Sequence, residues 1–240
     1  MHNTLLSYMN KRLGEDAQKS GPRFKTAGPV ITISREVGCG GILVAKQLAE
    51  ELNKSVFCKQ WQVISKEVLS QSAKELKVKQ EKVDRLLSSS EKFTFDEILS
   101  AFSEKYYKSN RVIMKTVREV IYSFASDGCC IIVGRAGHLI ADDIDNALHV
   151  RLTAPTRWRV DSIAARKQMN KSGALKYIQD IEKERIVFRD YFRKNKNEEE
   201  QFDVTIDVSR FDTDQVIKLI MAAFELRGIP DRMKKNVPYF

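Results

Sequence analysis

The sequence predicts an α/β fold, a five-stranded parallel sheet flanked by helices, and three observations carry that expectation. Short β-branched or apolar segments alternate with stretches whose apolar residues recur at helical spacing. The first such segment, Val30, Ile31 and Ile33, passes into a helix through a cluster of glycines, Gly38, Gly40 and Gly41. A later one, Cys129-Cys-Ile-Ile-Val133, is apolar throughout, as expected of a central parallel strand covered on both faces.

Residues 1–29 read as an N-terminal arm, and residues 30–240 as the domain. Leu5 to Met9 form a short amphipathic segment, followed by polar and basic residues up to Gly28-Pro29, and a docked helix and a flexible arm fit this pattern equally well. After the first strand and the glycines, Ala45, Leu48, Ala49 and Leu52 mark a helix. Ser55 to Cys58 is the expected second strand. Residues 59–125 then read as a helical insertion, with runs such as Phe95, Ile98, Leu99 and Phe102, and later Ile113, Val117, Val120, Ile121 and Phe124, broken near Ser88-Ser89-Ser90. Gly128 ends the last of these helices, and the third strand stops at Gly134-Arg135. Ala147 to Thr153 is the fourth strand. Pro155 opens a helix carrying Arg157, Trp158, Arg159 and Arg166, and Gly173 begins a long helix running to about Lys194. The polar run Asn195 to Glu200 reads as a solvated turn. Val204, Ile206 and Val208 alternate as the fifth strand, before a helix from Thr213 to Arg227 that ends at Gly228 and Pro230.

Ligands of open parallel sheets bind beyond the carboxyl ends of the strands. Those ends gather Ser34 to Gly41, Gly134-Arg135 and Thr153 to Arg159, a glycine loop together with several arginines. Glycines let successive backbone N–H groups turn inward on an anion, and the following helix aims its positive end at the same point. A glycine-rich turn with no ligand has the same sequence signature.

The formal charge of +9 suits nucleic acid, an acidic membrane surface or a phosphorylated small molecule. No zinc-finger spacing and no basic stripe interleaved with aromatics is present, which disfavours nucleic acid. No apolar run reaches the roughly 20 residues of a membrane span, and no signal-peptide core precedes a small-residue cleavage site, so the expected location is cytoplasmic. Cys39, Cys58, Cys129 and Cys130 lack metal-ligand spacing and read as reduced and mostly buried, with Cys39 either a small loop filler or a thiol activated near a helix N-terminus. His2, His138 and His149 have no nucleophile or metal partner at a telling spacing.

Five segments, in order, carry a resemblance: Ile31-Thr-Ile-Ser-Arg-Glu-Val-Gly-Cys-Gly-Gly41, Ile131-Ile-Val-Gly-Arg-Ala136, Leu148-His-Val-Arg-Leu-Thr-Ala-Pro155, Tyr177 to Phe192, and Phe202-Asp-Val-Thr-Ile-Asp207. Together, from about Val30 to Arg227, the chain resembles the cytidylate kinase-like family of P-loop proteins. The resemblance implies a P-loop NTPase fold, with residues 59–125 as the acceptor-binding insertion and residues of about 173–200 as a lid. It implies ATP and Mg²⁺ as cofactors, nucleotides as partners, and transfer of the ATP γ-phosphoryl group to a nucleoside monophosphate, CMP or dCMP first among them.

Carried onto this chain, the resemblance makes Ser34, Gly38, Cys39, Gly40, Gly41 and Ile42 the donor-phosphate loop and Arg135 the ligand of the acceptor phosphate. Glu182-Lys-Glu-Arg185 is similar to the family's Asp-x-x-Arg, with Glu182 on the substrate side. Arg185 and Arg189, one turn apart, would neutralise charge developing during transfer, and Arg193 extends the row. The same residues would also make an ordinary solvated helix laced with ion pairs. Arg157 and Arg159 approach the nucleotide, or else stay outside while Trp158 packs on the core.

The chain departs from the family pattern at four positions. Gly41 stands where the loop lysine is usual, Ile42 where the Mg²⁺-binding hydroxyl is usual, Ala136 where an aspartate follows Gly-Arg, and Val133 where another carboxylate often sits. Arg35 is the best replacement for the missing cation, since Lys46 lies more than a turn into the helix, and Glu36 is the candidate ligand for Mg²⁺, directly or through water. Two alternatives follow from the departures: a nucleotide-binding or sensing protein that has lost the chemistry, and a kinase of another small acceptor. An oligomeric partner is not legible.

Overall fold

The computed structural model describes residues 28–54, 60–65, 110–193 and 199–235. Five strands, β1 (Val30–Arg35), β2 (Gln62–Ile64), β3 (Cys130–Val133), β4 (Ala147–Thr153) and β5 (Val204–Asp207), form one sheet in the order β2-β3-β1-β4-β5. Every pairing is parallel. The helices are α1 (Gly41–Leu52), α2 (Asn110–Asp127), α3 (Gly137–Ile140), α4 (Thr156–Lys167), α5 (Lys171–Phe192), α6 (Thr213–Leu226) and α7 (Ile229–Lys235). Contacts divide the chain into two units, residues 26–64 with 118–240 and residues 1–25 with 65–117, and all five strands lie in the first. The N-terminal arm and most of the expected insertion fall outside the described residues.

Strand alternation sorts the sheet into two unlike faces. Ile31 and Ile33 of β1, Ile131 and Val133 of β3, and Leu148, Val150 and Leu152 of β4 pack in one cluster with Val44, Ala45 and Leu48 of α1 and Val216, Ile220 and Phe224 of α6. Helical spacing on α1 and α6 matches that face, and α6 is started by a capping box between Asp212 and Gln215. The alternate residues of β1 and β4 are polar: Thr32 and Ser34 stand in register with His149 and Arg151. Thr32 Oγ1 and His149 Nδ1 are 2.8 Å apart, and burial pushes the His149 imidazole down to about 4.

The structure departs from expectation in five places. The expected strand Ser55 to Cys58 lies outside the described residues, and the second strand is Gln62–Ile64, within the stretch read as helical. It is an edge strand three residues long, started where the Gln62 N–H donates to Cys129 O and the Trp61 N–H to Asn53 Oδ1, too brief to leave a period. The single turn α3 leaves none either. Helix α7 runs through Pro230, which its first turn tolerates because no N–H is needed there. Helix α5 begins at Lys171, where the Asn170 side chain accepts the Gly173 N–H at 2.7 Å, so Gly173 lies inside the first turn. Cys39 and Cys130 are free and buried, as expected, whereas Cys129 is disulfide-bonded. No helix among the described residues is long and apolar enough to cross a membrane.

Candidate functional site

The link between β1 and α1 is an uncapped helix start with room in front of it. Gly38 and Gly40 take φ of 105° and 67°, which only glycine adopts without strain. Gly40 is the N-cap and has no side chain to satisfy the first-turn N–H groups, and a Cβ built there meets nothing within 4 Å. These features suit a polyphosphate. They do not suit a directly held Mg²⁺: Ile42 has no hydroxyl, and Glu36 Oε2 accepts the Ala154 N–H at 3.1 Å and lies 3.4 Å from Arg159 Nε. Among the described residues no three metal-ligating side chains gather.

Arg35 spans two loops. A Cβ on Gly41 would lie 3.0 Å from Arg35 Cγ and 3.3 Å from its Cδ, so the stem runs tightly alongside Gly41 and a side chain there would crowd it. Its guanidinium lies so close to Gly134, in the turn after β3, that a methyl group there would overlap it. That turn is unusual, for Gly134, Arg135 and Ala136 all have positive φ, of 71°, 55° and 52°. Two successive non-glycine residues in this region store strain of order 1 kcal/mol or more each. The Arg135 guanidinium sits over the ring of Phe188 on α5, 5.8 Å from its centroid.

Helices α4 and α5 clamp the glycine loop from the other side. Glu182 Oε1 accepts the Val37 N–H at 2.6 Å and lies 3.5 Å from Arg159 Nη1. Arg185 Nη1 donates to Arg35 O at 2.9 Å, and its guanidinium pKa is lowered chiefly by burial, against the opposing pull of Glu182. Gly38 O accepts from Arg166 Nη2 at 2.9 Å and from Ser162 Oγ at 3.2 Å. Val37 is 5% exposed and packs with Ile163 of α4 and Ala174 and Ile178 of α5, so the loop is part of the apolar contact between these helices. Cys39 is buried, and burial, reinforced by Glu36, pushes its thiol up to about 12, which makes it a filler and not a nucleophile.

Farther along α5 the arginines have a different partner. Arg189 Nε lies 3.0 Å from Glu200 Oε1, Arg193 Nη2 donates to the same oxygen at 2.8 Å, and His138 Nε2 is 3.4 Å from Glu200 Oε2. Burial alone would raise the Glu200 pKa, but His138, Arg189 and Arg193 outweigh it and hold the carboxyl down at about 2. The Glu200 side chain is 5% exposed, so the end of the run read as a solvated turn is instead the counter-ion of the arginines at the end of α5.

The structure thus brings Arg35, Glu36, Gly38, Arg159, Glu182 and Arg185 together around one loop. Arg135 stands beside α5, Arg189 is tied to Glu200, Ser34 is buried in β1 opposite Arg151, and Arg157 is exposed on α4. Glu200, Ser162 and Val37 were not singled out in the sequence. A valine inside a glycine loop gave the only signal among them, as an apolar side chain with no apolar neighbour in sequence to pack on.

Solved structures resemble the chain to differing degrees. An uncharacterized protein from Eubacterium ventriosum ATCC 27560 superposes with a TM-score of 0.56 at 21% identity, over 82% of this chain and 98% of that one. A gluconokinase from Sinorhizobium meliloti 1021 gives 0.46 at 12% identity over 88% and 98%, and a shikimate kinase from Bacteroides thetaiotaomicron gives 0.44 at 13% identity over 82% and 97%. No curated protein matches the chain in sequence. The family model that matches, over residues 30–210, is that of the cytidylate kinase-like family, and the chain belongs to that family.

Proposed function

We propose that the protein is an ATP-dependent phosphotransferase acting on a nucleoside monophosphate, with CMP or dCMP as the first acceptors to test. The observation that supports this most is the course of Arg35, whose stem lies against Gly41, where the loop lysine is usual, and whose guanidinium reaches Gly134 beside Arg135. A cation in that position faces both the donor loop and the turn expected to hold the acceptor phosphate. The start of α1 would hold the donor phosphates through backbone N–H groups. Arg135 would hold the acceptor phosphate, and Arg35 with Arg185 would neutralise the equatorial oxygens of the transferring group. An oxygen of the acceptor phosphate forms the new P–O bond as the bond to the ADP bridging oxygen breaks, so no covalent enzyme intermediate is needed. Glu36 is engaged with Ala154 and Arg159, so this reading assigns it no direct hold on Mg²⁺.

The test is calorimetric titration with ATP, with and without Mg²⁺, followed by a transfer assay over CMP, dCMP, UMP and non-nucleotide acceptors, on wild type and Arg35→Ala. Transfer to CMP or dCMP that falls at least about 100-fold in Arg35→Ala is the expected result. Equal rates in the two proteins would remove Arg35 from the mechanism, and transfer only to a non-nucleotide acceptor would replace the substrate assignment. A second reading, nucleotide binding without transfer, is favoured by the missing ammonium and hydroxyl at Gly41 and Ile42. It predicts ATP binding with no transfer to any acceptor in the panel.

A further inference from the structure

The shortest hydrogen bond joining α5 to the glycine loop is one that a phosphate would also make. Within the loop, the Glu36 N–H is spent on Leu152 O and the Cys39 N–H turns back to Glu36 O. The Val37 N–H instead donates to a side chain far along the chain, Glu182 Oε1, at 2.6 Å, and the same oxygen lies 3.5 Å from Arg159 Nη1. One anionic oxygen that meets both a loop N–H and a guanidinium has the surroundings of a phosphate oxygen in such a loop. Less than one turn on, Arg185 donates to Arg35 O, so α5 grips the loop with one anion and one cation. Val37 adds an apolar anchor to Ile178 of the same helix.

We infer that Glu182 is an internal stand-in for a donor phosphate oxygen: its carboxylate latches α5 onto the glycine loop, and a polyphosphate binds by displacing it. The inference rests on the reading of this loop as a phosphate site and adds to it a competitor built into the chain. Two negative groups cannot share the Val37 N–H and Arg159, so phosphate binding and the latch exclude each other. Affinity for the donor is therefore lower than the loop alone would provide, and binding releases the grip that α5 has on the loop through Glu182.

The experiment is calorimetric titration of the full chain with inorganic tripolyphosphate, comparing wild type, Glu182→Gln, Glu182→Ala and Glu184→Gln. Glutamine keeps the shape of residue 182, and thermal melts of the two substitutions at that position check the fold. Glu184 is exposed on the same helix and carries the same charge without touching the loop, so its variant reports the general field alone. Both substitutions at position 182 should tighten tripolyphosphate binding about tenfold, the scale of one charge-assisted hydrogen bond, while Glu184→Gln stays within about twofold. Binding by the Glu182 variants where wild type shows none would support the latch as well. Equal or weaker binding by the Glu182 variants would overturn the latch and leave the phosphate site standing, as would an equal gain in Glu184→Gln. Absence of binding in all four proteins would overturn the phosphate site and the latch together.

Discussion

Arg185 and Arg189 lie one turn apart on α5 and are chemically identical, yet they end in unlike surroundings. Arg185 donates to the main chain of the glycine loop at Arg35 O. Arg189 shares a carboxylate oxygen of the buried Glu200 with Arg193, and so belongs to the support of the helix. The upper stretch of α5 thus addresses the site and the lower stretch holds the helix down, although both carry the same residue types at the same spacing. Helical periodicity places side chains on a face, and only the partner that arrives from elsewhere in the chain decides what each one does.

The largest effect expected, and the sharpest way to break the comparison, is in phosphoryl transfer. Arg185→Ala should lower the transfer rate about 10² to 10³-fold with little change in melting temperature, as removal of one preorganised charge donor does. Arg189→Ala should stay within about tenfold in rate and lose melting temperature instead. Steady-state kinetics and thermal melts on the two variants, side by side, decide the matter. An Arg189 variant that melts like wild type while losing transfer would make the two arginines equivalent after all.

Stability supplies the next test. Glu200→Ala leaves Arg189 and Arg193 facing each other without their shared carboxylate, and should destabilise the fold by about 2 to 3 kcal/mol, toward the low end for a broken buried pair because both arginines keep some contact with water. Urea unfolding measures it. Loss of less than about 0.5 kcal/mol would mean that the lower part of α5 is not held by this cluster.

Much of this frame was legible in sequence, and the part that was not has a physical pattern. The strands β1, β3, β4 and β5 announced themselves through β-branched or continuous apolar runs, and the glycines marked the loop, Gly38 and Gly40 because only glycine takes the backbone there without strain and Gly41 because a side chain would crowd Arg35. β2 escaped because three residues on a sheet edge leave no period. Glu200 escaped for another reason: a glutamate in a polar run is a solvated residue unless cations converge on it, and Arg189, Arg193 and His138 reach it from two other elements. The same holds for the Glu182 contact with Val37, which links residues 145 apart. Arg35 was legible as a cation in the loop, but its reach to Gly134 depends on β1 and β3 being neighbours.

The pH dependence of stability separates the two faces of the polar cluster by a smaller amount. His149 has its imidazole lowered from 6.5 to about 4, chiefly by burial, so between these values the unfolded chain binds a proton that the folded chain refuses. Its contribution is complete above about pH 6.5 and is lost as the pH falls through 4. Glu200 is lowered from 4.5 to about 2, so its contribution is present above pH 4.5 and is lost as the pH falls toward 2. Urea midpoints should therefore fall in two overlapping steps on acidification. His149→Gln should flatten the upper step and Glu200→Gln the lower, and a profile unchanged by both substitutions would count against the burial of these groups.

The smallest expected effect tests the arginines around Trp158. Arg157 and Arg159 are two apart, so a helix turns them in different directions, and only Arg159 reaches the loop, where it meets Ala154 O, Glu36 and Glu182. Arg157 is exposed, with Asp161 one turn on as the group that feels its charge. Such an exposed pair contributes a few tenths of a kcal/mol. Arg157→Ala should change stability by less than about 0.5 kcal/mol and transfer by less than about twofold, whereas Arg159→Ala leaves Glu36 and Glu182 without their shared cation and should lower both. If Arg157→Ala weakened nucleotide binding as much as Arg159→Ala, the nucleotide would have to extend over the outer face of α4, and the site would be wider than the clamp around the glycine loop.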